Sequence, residues 1–107
     1  MSEFQYDLVI IGAGPGGYEA AYEAADFGMK VALVEKDLVG GTCLNRGCVP
    51  TKTMMHSSDA YRIATQSANI GVSAEGVKAD LNRIIDRKCE VSETLRDGIM
   101  FVLKKKK

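Results

Sequence analysis

Cys43 and Cys48 stand with four residues between them in GGTCLNRGCVPTK, Gly40 to Lys52. Two thiols at that spacing can close a small disulfide ring, and a short, constrained ring is more readily reduced than a structural bridge. A thiol beside a cation or a helix N-terminus is a competent thiolate, and Arg46 and Lys52 are the candidate cations. Metal binding is the rival chemistry, but zinc sites favour tighter cysteine spacing and need two further ligands, for which only His56 and Cys89 remain. The expectation is therefore no metal. Upstream, Gly12-Ala13-Gly14-Pro15-Gly16-Gly17 fits G-x-G-x-x-G. Gly12 permits a tight turn, Gly14 lets backbone approach a pyrophosphate favoured by a helix N-terminus, and Gly17 allows close helix and sheet contact. Glu35, 18 positions after Gly17, can accept hydrogen bonds from ribose hydroxyls. The plain alternative is a glycine-rich turn with no ligand. NAD and FAD domains share this unit, so these glycines alone do not choose between them.

These residues need a scaffold. Tyr6 to Ile11 reads as a short buried strand, its apolar run stopped by Gly12. From Pro15 the pattern turns helical, with Ala20, Ala21, Ala24, Ala25 and Phe27 as a small apolar face and Gly28 as the stop. Lys30 to Val34 gives a second buried strand ending at Glu35, which completes a right-handed βαβ crossover in about 30 residues. Asp37 to Asn45 reads as a glycine-rich loop. A helix then begins within or just after the second cysteine and runs through Lys52 to Ala64, and Gly71 to Gly76 is a linker. From Lys78 to Leu103 apolar positions recur at helical spacing, predicting a long amphipathic helix that Asp97 and Gly98 bend or fray.

Composition sets outer limits. The chain has 107 residues, 46% hydrophobic and 26% charged, with 14 basic and 14 acidic residues. This fits one soluble globular domain with one modest core. Zero formal charge gives no general attraction to nucleic acid or to anionic membranes. The polar SEFQYD start and the short Leu8 to Ile11 run predict neither signal peptide nor transmembrane helix, which places the chain in the cytoplasm. Three cysteines in that compartment do not suggest a disulfide scaffold. Cys89 reads as a packed or half-buried thiol, His56 as a surface or interface residue, Lys104 to Lys107 as a solvated helix end, and Met54, Met55, Tyr18 and Tyr22 as packing residues.

GGTCLNRGCVPTK, following GAGPGG and a Glu-ended second strand, closely resembles the active-site segment of the pyridine nucleotide-disulfide oxidoreductases, above all their dihydrolipoamide dehydrogenase branch. The resemblance spans essentially the whole chain. It implies an α/β fold, a partial Rossmann-type FAD-binding domain made of a βαβ unit, a redox-disulfide helix and a long amphipathic helix. It implies that Gly12, Gly14, Pro15 and Gly17 hold the FAD pyrophosphate, that Glu35 binds the adenosine ribose, and that Lys36, Gly41 and Thr42 line the path between adenine and flavin. It further implies a redox-active Cys43 to Cys48 disulfide in which Cys48 faces the flavin, Cys43 exchanges with the dithiol, and Lys52 lies near the reactive flavin nitrogen. Electrons then pass from dihydrolipoamide to the disulfide, to FAD and to NAD. Arg46 stands where the family often has valine, and Val49 and Thr51 replace the commoner isoleucine and serine.

Family members are several-fold longer, so residues 1–107 read as the N-terminal part of an FAD domain. The NAD, central and interface domains, and the catalytic histidine supplied by a homodimer partner, are expected outside this chain. The implied partner is the dihydrolipoyl group of a 2-oxoacid dehydrogenase or glycine cleavage complex. The alternatives are a non-catalytic dinucleotide-binding fragment or a related disulfide reductase acting on glutathione, mercuric ion, trypanothione or thioredoxin. Independent catalysis by the isolated chain is not expected.

Overall fold

The computed structural model describes residues 3–106, and the order of elements follows the sequence pattern closely. Strand β1 (Leu8–Ile11) leads into helix α1 (Pro15–Asp26) and strand β2 (Val31–Val34). The strands pair in parallel, Leu8 opposite Val31 through Ile11 opposite Val34. Pro15 takes the first helical turn, where its missing N–H costs nothing. The helix stops at Gly28, whose φ of +83° is open to glycine, while Gly28 and Met29 N–H groups close back on Ala25 and Ala24 carbonyls as a Schellman cap.

Both strands were expected to be buried, and the structure corrects this. Side chains alternate across a strand, so Leu8, Ile10, Val31 and Leu33 share one face, and Ile10 reaches the glycine end of α1. Val9, Ile11 and Val34 occupy the other face, where Ile11 is 88% exposed and nothing among the described residues covers the sheet. The core of this unit is made of small side chains: Ala13, Ala21 and Ala24 are buried.

A six-residue helix, α2 (Gly41–Arg46), stands where a loop was expected. Helix α3 (Cys48–Gln66) starts at the second cysteine, as the pattern predicted, and a single 3-10 turn at Ala68–Ile70 leads to the linker. Helix α4 (Leu81–Lys105) runs through Asp97 and Gly98 without the interruption expected there. Asp80 caps its start by accepting from Arg83 N–H at 3.2 Å. Helices α3 and α4 pack side by side, and α4 continues past α2 to reach α1.

The far end of α4 also departs from expectation. Lys106 is not simply solvated: its Nζ lies 2.6 Å from an Asp26 carboxylate oxygen and 5.8 Å from the centre of the Tyr22 ring. Tyr22 in turn donates its hydroxyl to the Ile99 carbonyl at 3.3 Å. Cys89, expected to be at least half-buried, is exposed.

Candidate active site

The two glycine-rich segments meet backbone to backbone. A Cβ on Gly41 would lie 2.8 Å from Gly14 Cα, and Gly41 itself has φ +71°. Glycine at position 41 is what lets the loop after β1 and the start of α2 touch, while a Cβ on Gly14 would make only an ordinary contact, 3.7 Å from Gly41 Cα. The Gly40 N–H also donates to the Ala13 carbonyl at 2.7 Å. A Cβ on Gly17 would sit 1.8 Å from the Gly12 carbonyl oxygen, so α1 can close on the turn only with glycine there. Gly12 has φ +103°, and its N–H closes the sheet end by donating to Val34 O at 2.7 Å.

This turn suits a pyrophosphate. No side chain caps the N-terminus of α1, Pro15 brings no N–H, and a Cβ on Gly16 would meet nothing within 4 Å. The first-turn N–H groups lie at the positive end of a 12-residue helix dipole, with no side chain accepting from them among the described residues. Beyond them, Glu35 and Ala13 lie at one end of a cavity of about 470 Å³ that runs between α1, β2 and the last turns of α4. Glu35 also accepts from the Asp37 N–H at 3.4 Å. Lys36 is exposed beside it. Thr42 and Gly41 open α2 and lead from this cradle towards the cysteines. The donor set, the glycine cradle and the acidic residue at the strand end all fit a dinucleotide.

Cys43 sits inside α2 and Cys48 is the first residue of α3, so the two thiols are brought together by the turn at Gly47. A Cβ at Gly47 would come within 3.0 Å of the Thr42 carbonyl oxygen and 3.3 Å of Cys43 Cα. Both cysteines are free thiols in this structure. The Cys43 thiol hydrogen-bonds to Cys48, and this contact, with some burial, holds Cys43 protonated above the ordinary thiol range. Lys52 acts in the opposite sense, lowering it by its positive charge. Cys48 occupies the position where a helix dipole favours negative charge. The chemistry of the pair is thus asymmetric, with Cys43 the proton donor in the reduced state.

Of the two candidate cations, only Lys52 borders the thiols. Arg46 points elsewhere and pairs with Asp37 at 2.8 Å. His56 lines the same cavity as Cys43, Cys48 and Lys52, a position that a purely structural reading of this histidine did not anticipate. Among the described residues no three His, Cys, Asp or Glu side chains converge as a metal-binding group, and no helix is long and apolar enough to cross a membrane.

Three positioning residues carried no signal in the sequence. Asn45 donates through Nδ2 to the Val39 carbonyl at 3.1 Å and to the Gly41 carbonyl at 3.0 Å, and its Oδ1 accepts from Arg96 at 2.8 Å. Ser92, buried on α4, donates to the Leu44 carbonyl at 3.0 Å. These bonds fasten the cysteine segment to a helix some 50 residues away in the chain (sequence separations of 51 and 48). Local patterns cannot report such partners.

A parallel βαβ unit with a pyrophosphate turn, abutting a helix-borne dithiol, defines a dinucleotide-binding disulfide oxidoreductase. Residues 6–107 match the family described as "Pyridine nucleotide-disulphide oxidoreductase", and the chain belongs to that family. It is 49% identical over 102 residues to a dihydrolipoyl dehydrogenase of Acholeplasma laidlawii, covering 94% of this chain and 30% of that protein. It is 43% identical to the dihydrolipoyl dehydrogenase of Bacillus subtilis (strain 168), with 96% and 22% covered. Among solved structures it resembles the Cu(II) complex of the HOCl-induced flavoprotein disulfide reductase RclA from Escherichia coli, with a TM-score of 0.72 and 35% identity. That match covers 92% of this chain and 19% of the other. The chain therefore spans less than a third of the length of these relatives.

Proposed function

We propose that this chain is the FAD-cradling and thiol-exchanging part of a dihydrolipoyl dehydrogenase, the N-terminal portion of its FAD domain. The observation that carries this reading is the Gly14 to Gly41 contact, which sets a pyrophosphate turn directly against the segment bearing both thiols. The dihydrolipoyl dehydrogenases among its relatives support the substrate.

In this reading the first-turn N–H groups behind Gly12, Gly14, Pro15 and Gly17 hold the pyrophosphate. Glu35 accepts from the ribose, and Lys36, Gly41 and Thr42 border the route to the flavin. When bound, FAD would supply a two-electron acceptor for the reduced pair, with NAD as the final acceptor in the whole enzyme. The chain's own chemistry is thiol exchange. A dihydrolipoyl thiolate attacks Cys43 Sγ of the oxidised pair, and the electron pair of the broken Cys43 to Cys48 bond stays on Cys48 Sγ. The second lipoyl thiolate then attacks the mixed disulfide, closing the lipoamide ring and releasing Cys43, which takes up a proton. Lys52 offsets the charge developing beside it, and the raised proton affinity of Cys43 makes it the thiol that takes up the proton. The whole enzyme works as a cytoplasmic homodimer that serves the dihydrolipoyl group of a 2-oxoacid dehydrogenase or glycine cleavage complex.

Thiol mapping tests the exchange. The chain is oxidised with diamide, treated with dihydrolipoamide or glutathione, and alkylated for peptide mass analysis. The expected result is a Cys43 to Cys48 bond that dihydrolipoamide opens, with one lipoamide formed per chain and Cys89 alkylated throughout. A bond involving Cys89, or no lipoamide, contradicts the reading. Preferential reduction by glutathione instead favours a related disulfide reductase, a class represented among the solved structures.

A further inference from the structure

The two residues that follow Cys43 are the two that α4 holds. The buried Ser92 hydroxyl donates to the Leu44 carbonyl at 3.0 Å, and Arg96 Nη1 donates to Asn45 Oδ1 at 2.8 Å. Ser92 and Arg96 are one helical turn apart and share a face of α4. Helix α3, which opens with Cys48, packs along the same helix. The two cysteines therefore stand on different helices against one common support.

Arg96 is an unusual donor. Glu93 lies one turn before it, a spacing at which helix ion pairs form, yet among the described residues Arg96 makes no ion pair and bonds a neutral amide instead. A charged donor polarises that amide, and Asn45 Nδ2 carries the effect to the start of α2 by donating to the Gly41 carbonyl at 3.0 Å. The Leu44 carbonyl is among the last four of α2, which have no partner within their own helix, and Ser92 supplies its donor. Neither Ser92 nor Arg96 lines the depression at the thiols, so their influence on the pair runs through α2.

We propose that Ser92 and Arg96 are positioning residues for the redox pair: by fixing α2 on α4 they keep Cys43 within bonding reach of Cys48, raise the effective concentration of one thiol at the other, and so favour the closed disulfide. This rests on the reading of Cys43 and Cys48 as the exchanging pair. With glutathione disulfide as oxidant, one thiolate of the pair attacks a glutathione sulfur and one glutathione thiolate leaves. The other cysteine then attacks the mixed disulfide, releasing the second glutathione thiolate and closing the Cys43 to Cys48 bond. Two electrons pass from the pair to glutathione. The second step is the one that a clamped α2 favours, because its attacking thiol is already in place.

The test measures that equilibrium in the chain with Cys89→Ser, which leaves only the pair to react. The chain is equilibrated at a series of glutathione to glutathione-disulfide ratios, quenched with acid, alkylated and mapped by mass, and the closed fraction gives the effective concentration. Ser92→Ala and Arg96→Met are each expected to lower it about fivefold, the worth of one hydrogen bond. Arg96→Lys keeps a charged donor and should stay within about twofold of the parent. Thr94→Ala, an exposed change on the same helix, should leave it unaltered. Urea unfolding of both redox forms separates positioning from packing. Positioning weakens the oxidised form more than the reduced one, by the same factor, because folding and ring closure are linked. An unchanged effective concentration in both Ser92→Ala and Arg96→Met, with equal losses of stability in the two redox forms, overturns the inference and leaves both as packing residues. An equal fall in Thr94→Ala overturns it as well. Failure of the parent chain to form a Cys43 to Cys48 bond at any glutathione ratio is a different result, and it removes the exchanging-pair reading itself.

Discussion

At the residue scale the protein is governed by where a single methyl group cannot go. Gly17 and Gly98 make the contrast. A Cβ at Gly17 would overlap the Gly12 carbonyl, whereas one at Gly98 would meet nothing within 4 Å. Gly17→Ala should destabilise the chain by about 3 kcal/mol, the upper end of overpacking, read from the urea midpoint. Gly98→Ala should stabilise it by about 0.8 kcal/mol, because alanine loses less entropy in a helix interior. Opposite signs are the prediction, and equal effects would remove the geometric argument for the cradle. The cysteine pair gives a pH test. Cys43 is held protonated first by its hydrogen bond to Cys48, so its alkylation rate in a Cys89→Ser background should rise with pH about a midpoint above the ordinary thiol value. Cys48→Ala removes both the acceptor and the like charge, and the midpoint should fall. A midpoint that stays put means the two thiols do not interact.

At the scale of elements, the strongly periodic parts were legible before the structure. The βαβ unit, the start of α3 at the second cysteine and the long α4 all follow from apolar spacing and from glycine and proline punctuation. The cradle glycines and the cysteine pair also stood out by type and spacing, and the structure brings Gly41 onto Gly14 and sets Lys52 beside the two thiols. Helix α2 was not legible, since six residues bounded by Gly40 and Gly47 are too few to show a helical period. Gly98 was read as a break because its local cost is real, yet one unfavourable residue does not interrupt a 25-residue helix supported on either side. The long-range partners of Asn45 and Ser92, Arg96 on α4 and Leu44 on α2, lie on other elements, and no local pattern encodes them. Asn45→Ala deletes the Arg96 bond that holds the cysteine segment against α4 and two bonds to the Val39 and Gly41 carbonyls that brace the segment itself, and should cost about 2–3 kcal/mol by chemical denaturation. It should also speed the alkylation of Cys43. A loss below about 0.5 kcal/mol, the range of an ordinary surface change, contradicts the clamp.

At the scale of the whole molecule the chain is long and thin. Its extents are 75 × 24 × 18 Å and its radius of gyration is 20.4 Å. A compact domain of this length has a radius near 13 Å. Among the described residues no large side chain is fully buried, while Phe4, Ile11 and Phe27 are each more than 80% exposed. The site is therefore held by glycine contacts and hydrogen bonds rather than by a large apolar core. Ile11→Glu, on the uncovered sheet face, should change the stability of this chain by less than about 0.5 kcal/mol. It should also reduce any self-association seen by sedimentation, since an exposed apolar face invites contact. A loss of 2 kcal/mol or more would show that the sheet is covered in solution.

The central claim is that one short chain sets a flavin cradle against a redox pair. The visible absorption spectrum of the chain mixed with FAD and passed through a desalting column, recorded before and after one equivalent of dithionite, tests it most directly. The account predicts retained oxidised-flavin bands, then a long-wavelength thiolate-to-flavin band that Cys48→Ser abolishes. A colourless eluate, or a long-wavelength band that survives in Cys48→Ser, would contradict it.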